Sequence, residues 1–150
     1  MPQSLSKTIL HIVFSTKNRH PFIDEKIENK LFKYIGGTCS ALGCQPIIIG
    51  GHKDHIHICT VLSRSITISE LVGKIKRSSS KWIKCQETKY KKFYWQNGYS
   101  VFSVSPNKLN SIISYIENQK DHHEKIMFKE ECRRFFEEYE IEYDENYVWD

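Results

Sequence analysis

The spacing of hydrophobic and polar positions changes several times along the chain, and each change marks an expected element. Residues 7–15 are dense in β-branched and aromatic side chains and give way to Thr16-Lys17-Asn18-Arg19-His20-Pro21, which predicts a first strand buried on at least one face. Ile27, Leu31, Tyr34, Ile35 and Leu42 then follow the helical period, with Asp24 placed to cap the start and Gly43 to end it in a left-handed turn. Gly36 and Gly37 fall inside this helix and predict a bend or break. Residues 45–49 and His55 to Leu62 are two further β-prone runs, and the short, turn-rich Gly50–Asp54 connection makes them an antiparallel hairpin. Thr67-Ile68-Ser69-Glu70 has the form of a capping box, so a second helix should follow and bury Leu71, Val72, Ile75, Trp82 and Ile83.

Ser100 to Val104 alternates as a fourth strand, and Ser105-Pro106 opens a third helix with a cap followed by proline. Leu109, Ile112, Ile113 and Ile116 of that helix should pack inward. A fourth helix around Phe128 to Tyr139 places Phe128, Cys132, Phe135, Phe136 and Tyr139 on one stripe. Residues 141–150 are too aromatic for a disordered tail and should pack on the domain or on a second subunit. The order β-α-β-β-α-β is that of a ferredoxin-like split βαβ sheet, an α+β antiparallel architecture, here with additional C-terminal helices. Its free face would be open or covered by those additions, and His55 and His57 would lie on it.

Composition narrows the class. A chain of 150 residues without repeats, low-complexity stretches or linkers fits a single domain, residues 1–150, with enough core to dispense with disulfides. Five cysteines, an odd number with no Cys-x-x-Cys pair, argue against a disulfide framework or a zinc ribbon. No apolar run approaches a membrane span and residues 1–7 lack a secretory core, so a soluble cytoplasmic protein is expected. The net charge of +4 is unevenly spread: residues 1–116 hold 17 Lys/Arg against 6 Asp/Glu, and residues 117–150 hold 5 against 12. A basic body suggests a polyanion, nucleic acid first. Lys74, Arg77 and Lys81 recur along one side of the second helix and suit phosphate contacts, although a solvated face would look the same. Residues 90–99 interleave bases with aromatics as a single-strand binder does, while Phe93 and Trp95 read equally as core.

The chemistry concentrates in two short motifs. His55 and His57 project from one face of a strand, roughly 6.6 Å apart along it, and two imidazoles so placed converge on one cation or are satisfied separately as half-buried histidines. Tyr115 and Gln119 stand four apart, offset by about 40° around a helix. On their own they read as a core-edge tyrosine and a surface glutamine.

Together Gly50 to His57, Trp95-Gln96-Asn97-Gly98-Tyr99, Phe102-Ser103-Val104-Ser105 and Tyr115-Ile116-Glu117-Asn118-Gln119, followed by His122-His123, resemble the single-tyrosine HUH transposases, the TnpA-like enzymes of small insertion sequences. The resemblance covers nearly the whole chain. It implies metal-dependent cleavage and rejoining of single-stranded DNA at insertion-sequence ends, with Tyr115 as nucleophile and His55, His57 and Gln119 as ligands of Mg²⁺ or Mn²⁺. It also implies a homodimer in which the tyrosine helix of one subunit serves the histidines of the other. A cation there would stabilise charge developing on the phosphate, and a 5′-phosphotyrosine link would conserve the bond without ATP. Two other readings compete: a non-catalytic single-stranded nucleic-acid-binding module, and a metallonuclease that uses His52, His55, His57 or His122 and His123 without the tyrosine. Without a metal role His122 and His123 read as surface residues at a helix end, and they are not placed in the site.

Overall fold

The computed structural model describes residues 2–123 and 125–150. Its centre is a four-stranded antiparallel sheet made of β1 (Thr8–Ser15), β2 (Pro46–His52), β3 (His55–Leu62) and β4 (Ser100–Val104), in the spatial order β2-β3-β1-β4. That is the ferredoxin-like arrangement expected from the order of elements. Helices α1 (Glu28–Ala41) and α2 (Ile68–Lys84) cover one face. Helices α3 (Leu109–Glu117), α4 (Gln119–His123) and α5 (Phe128–Glu138) cover the other. With both faces covered, β1 is buried along nearly its whole length.

Period-two alternation sorts the strand residues. Leu10, Ile12 and Phe14 of β1 and Ile56 and Ile58 of β3 join Leu31, Ile35, Leu71 and Ile75 in an apolar core. Ile9, Val13, Cys59 and Phe102 face the other way, into two smaller clusters with Ile116 of α3 and with Phe128, Cys132 and Phe136 of α5. Val148 and Trp149 pack on the second of these, so the aromatic C-terminal stretch lies on its own domain. All five cysteines are free.

Several local expectations hold in detail. The Glu70 amide donates to Thr67 Oγ1 at 3.0 Å and the Thr67 hydroxyl donates to the Glu70 carboxylate at 3.1 Å, which closes the capping box. Gly43 ends the first helical segment with φ of +76°. Asp24 Oδ1 accepts from the Ile27 amide at 3.1 Å, one turn ahead of the regular helix.

Others need correction. The helix α1 runs unbroken through Gly36 and Gly37; a Cβ on Gly36 would touch Ile49 Cδ1 at 3.4 Å, so this glycine serves close packing on β2. Gly50, Gly51 and His52 belong to β2, and the hairpin turns at Lys53-Asp54, with His52 opposite His55. Gly50 is required by packing: a Cβ there would stand 2.8 Å from both Cγ2 and the carbonyl oxygen of Ile116. Ser105 makes no side-chain cap to a backbone amide; its hydroxyl donates to Asn107 Oδ1 at 2.7 Å, and a 3-10 turn over Pro106–Lys108 leads into α3. The expected single helix bearing Tyr115 and Gln119 is interrupted at Asn118, where φ is −97° and ψ is 21°, and Gln119 opens α4.

Candidate active site

The side chains of His55 and His57 emerge from β3 toward α3, α4 and α5, both without solvent exposure. Each ring is held from behind. His55 Nδ1 lies 2.7 Å from Asp54 Oδ1, and His57 Nδ1 lies 2.7 Å from His11 Nε2, carried by the neighbouring strand β1. Such rear contacts fix the orientation of each ring, and at His55 the carboxylate also places the proton on Nδ1.

The front nitrogens look into a polar cluster. His55 Nε2 faces Gln119 Oε1 at 3.0 Å, and His57 Nε2 faces Glu131 Oε1 at 2.9 Å. The other Glu131 oxygen, Oε2, accepts from the Tyr115 hydroxyl and from Gln119 Nε2 at 3.3 Å, and lies 3.0 Å from His123 Nε2. His122 Nε2 stands 3.2 Å from the same oxygen. The Tyr115 ring lies 5.6 Å from the His57 ring, edge to face, within one chain.

Burial and charge set the protonation states. Desolvation lowers the His57 pKa against the pull of Glu131, and desolvation with the nearby His57 takes His11 down to about 3. Burial alone would raise the Glu131 carboxyl, but the adjoining His57 and the hydrogen bonds from His123 and His57 outweigh it and hold the group below the ordinary carboxylate range. Burial, then the Glu131 charge, push the Tyr115 phenol above its ordinary value, so the hydroxyl keeps its proton here.

This donor set suits a hard divalent cation. Asp54 accepts a hydrogen bond from the Nδ1–H of His55, which in a neutral ring leaves Nε2 as a lone pair facing another lone pair, the Gln119 carbonyl oxygen. A second ring proton or a cation satisfies both. Ligand atoms from His55, His57, His123 and Glu131, one from each, all lie within 4.8 Å of one another. An octahedral ion with ligands at about 2.1 Å sets donors about 3 to 4.2 Å apart, so a slight contraction brings these into range. A cavity of about 310 Å³, lined by Ile112, Tyr115, His122, Glu131, Arg134 and Phe135, connects the tyrosine to the surface.

All four expected site residues, His55, His57, Tyr115 and Gln119, are therefore brought together. Sequence reasoning missed Glu131, His11 and Asp54, and it left His123 out of the transposase site. His123 is not a surface residue: its side chain is 3% exposed and sits in the cluster. Glu131 had a signal, since it falls on the apolar stripe of α5 beside Phe128, Cys132 and Phe135, where an acid has no packing reason to be. His11 likewise is a polar residue inside an apolar strand.

Lys74, Arg77 and Lys81 are elsewhere. They line a groove of about 650 Å³ between α1 and α2, with the sheet between them and the histidines. Arg77 and Lys81 also border a second groove, of about 490 Å³, beside Tyr94, over whose ring Lys84 Nζ sits at 4.3 Å. Of the basic-aromatic stretch, Phe93 and Trp95 are core, while Tyr94 is 60% exposed.

A family model described as IS200-like transposase matches residues 4–119, more than three quarters of the chain. The chain belongs to the IS200-like transposases. Solved structures agree in fold. A protein from Deinococcus radiodurans R1, provisionally assigned as a transposase, superposes with a TM-score of 0.60 at 20% identity, covering 79% of this chain and 98% of that one. A REP-associated tyrosine transposase bound to a REP hairpin superposes with a TM-score of 0.61 at 13% identity, covering 84% of this chain and 74% of that one. No curated protein matches the sequence significantly. The match to the family model ends at Gln119, so His123 and Glu131 of this chain lie beyond the matched residues. Among the described residues no helix is long and apolar enough to cross a membrane.

Proposed function

We propose that this transposase cuts and rejoins single-stranded DNA at insertion-sequence ends through a covalent link to Tyr115, with Mg²⁺ or Mn²⁺ held by His55, His57 and Gln119. The observation that carries this reading is the convergence of the Tyr115 hydroxyl with both histidine Nε2 atoms and Gln119 Oε1 in one buried cluster with an opening to the surface.

When bound, the cation supplies positive charge against the scissile phosphate. The rest falls to the chain. Asp54 and His11 aim the two imidazoles, and the interruption at Asn118 lets Gln119 reach His55 while Tyr115 stays on α3. The Tyr115 oxygen attacks phosphorus, its proton leaving along the hydrogen bond to Glu131, and the O3′–P bond breaks. That leaves a 5′-phosphotyrosine link and a 3′-hydroxyl, which takes up a proton and can reverse the step on a new end.

Lys74, Arg77 and Lys81 are proposed to hold DNA backbone distant from the reacting phosphate, because the sheet separates them from it. The expected homodimer with exchanged tyrosine helices is one way to build the site. The 5.6 Å separation of the Tyr115 and His57 rings supports a site served by its own chain.

A denaturing gel tests both points. Labelled single-stranded DNA carrying an insertion-sequence end, incubated with the protein and Mn²⁺, should give a covalent protein–DNA band. Tyr115→Phe and His55→Ala/His57→Ala should each lose it by at least about a thousandfold, in line with removal of a nucleophile. Cleavage that survives Tyr115→Phe would identify a water-using metallonuclease instead. Mixing the two inactive variants restores the band only if subunits share the site.

A further inference from the structure

Glu131 is not among the four expected site residues, yet it touches His55, His57, Tyr115 and Gln119 alike. Its side chain is 1% exposed, it belongs to α5, and its position lies outside the region that the family model matches. A carboxylate in an apolar stripe needs compensation for lost hydration. Here its two oxygens divide the task. Oε1 faces His57 Nε2 at 2.9 Å and His55 Nε2 at 3.7 Å, whereas Oε2 faces Tyr115, Gln119 and His123.

We infer that Glu131 is the anionic ligand of the cation, binding through Oε1 beside His55 and His57, while Oε2 holds the Tyr115 hydroxyl. This rests on the metal-dependent reading proposed above and extends it. The chemistry of the donors argues for it. Two imidazoles and an amide carbonyl form a neutral set, and neutral nitrogen-rich sets favour softer cations than Mg²⁺ or Mn²⁺, which prefer carboxylate oxygen. Glu131 is the one buried carboxylate whose oxygen comes within 4 Å of both ligand nitrogens among the described residues. Its bridge also gives the tyrosine a position defined relative to the cation, since one rigid carboxylate contacts both.

Manganese binding to the DNA-free protein tests this without relying on activity. Calorimetry or Mn²⁺ paramagnetic resonance should show that Glu131→Gln, which keeps the shape, weakens Mn²⁺ binding by more than about a hundredfold, beyond what loss of a group that only supports a ligand costs. His55→Ala/His57→Ala should abolish it. Glu131→Asp, which keeps the charge but withdraws the oxygen, should fall between parent and Gln, and it serves if the Gln variant does not fold. Parent-like Mn²⁺ affinity in folded Glu131→Gln or Glu131→Asp overturns the assignment and leaves the transposase metal site standing. Absence of Mn²⁺ binding by the parent protein overturns the metal site itself, and this ligand with it.

Discussion

Leu10, Ile12 and Phe14 on β1 face α1 and α2, while His11, one residue away on the same strand, stacks on His57 and meets Phe135 of α5 edge to face. The same division runs along β3, where Ile56 and Ile58 enter the apolar core and His55 and His57 enter the site. Pleat alternation thus lets two adjacent strands serve both faces: one carries fold stability in undiluted hydrocarbon, the other holds buried polar groups that need partners. The apolar face can be read residue by residue. The polar face depends on side chains arriving from α3, α4 and α5.

The sharpest way to break this contrast is Ile58→Ala. Removing that side chain from a fully buried site should cost about 2–5 kcal/mol in urea unfolding. A parent-like midpoint would mean that the α1/α2 face does not carry the fold.

Acid offers a second, smaller test on the opposite face. The folded His11 pKa of about 3 lies below the unfolded value of 6.5, so between those pH values the unfolded chain binds more protons. Stability is therefore fully present above pH 6.5 and declines as pH falls toward 3, by a few kcal/mol at most. His57, lowered in the same direction, adds to the decline. Melting temperatures across this range should fall less steeply for His11→Phe. Superimposable slopes would show that His11 does not enter the acid transition.

The mildest effect concerns the outer side of α2. Arg77→Glu with Lys81→Glu should weaken binding of labelled single-stranded DNA severalfold at about 0.1 M salt, and should shallow its salt dependence by about one unit of slope for each phosphate no longer neutralised. Unchanged affinity would remove α2 from the DNA path.

How much of this was legible in the sequence follows the same division. Strands and core were readable because alternation and helical spacing are local properties, and His55 and His57 share a face for that reason alone. Gly50 and Gly51 look like turn residues in isolation, since the demand on Gly50 comes from Ile116, far along the chain. The partnership of His57 with Glu131 spans 74 positions, and nothing near either residue announces the other. Asp54 is visible only as a turn residue until the hairpin closes tightly enough to set it against His55.

At Gly50, β2 and α3 meet with no side chain between the glycine and the Ile116 carbonyl, one residue from the tyrosine. Side chains hop among rotamers, but peptide planes do not. The offset of Tyr115 from the sheet is therefore set as a jig sets a workpiece, by two rigid surfaces pressed together. Drift in the sequence of the outer helices can alter how the site is closed without moving the Tyr115 backbone.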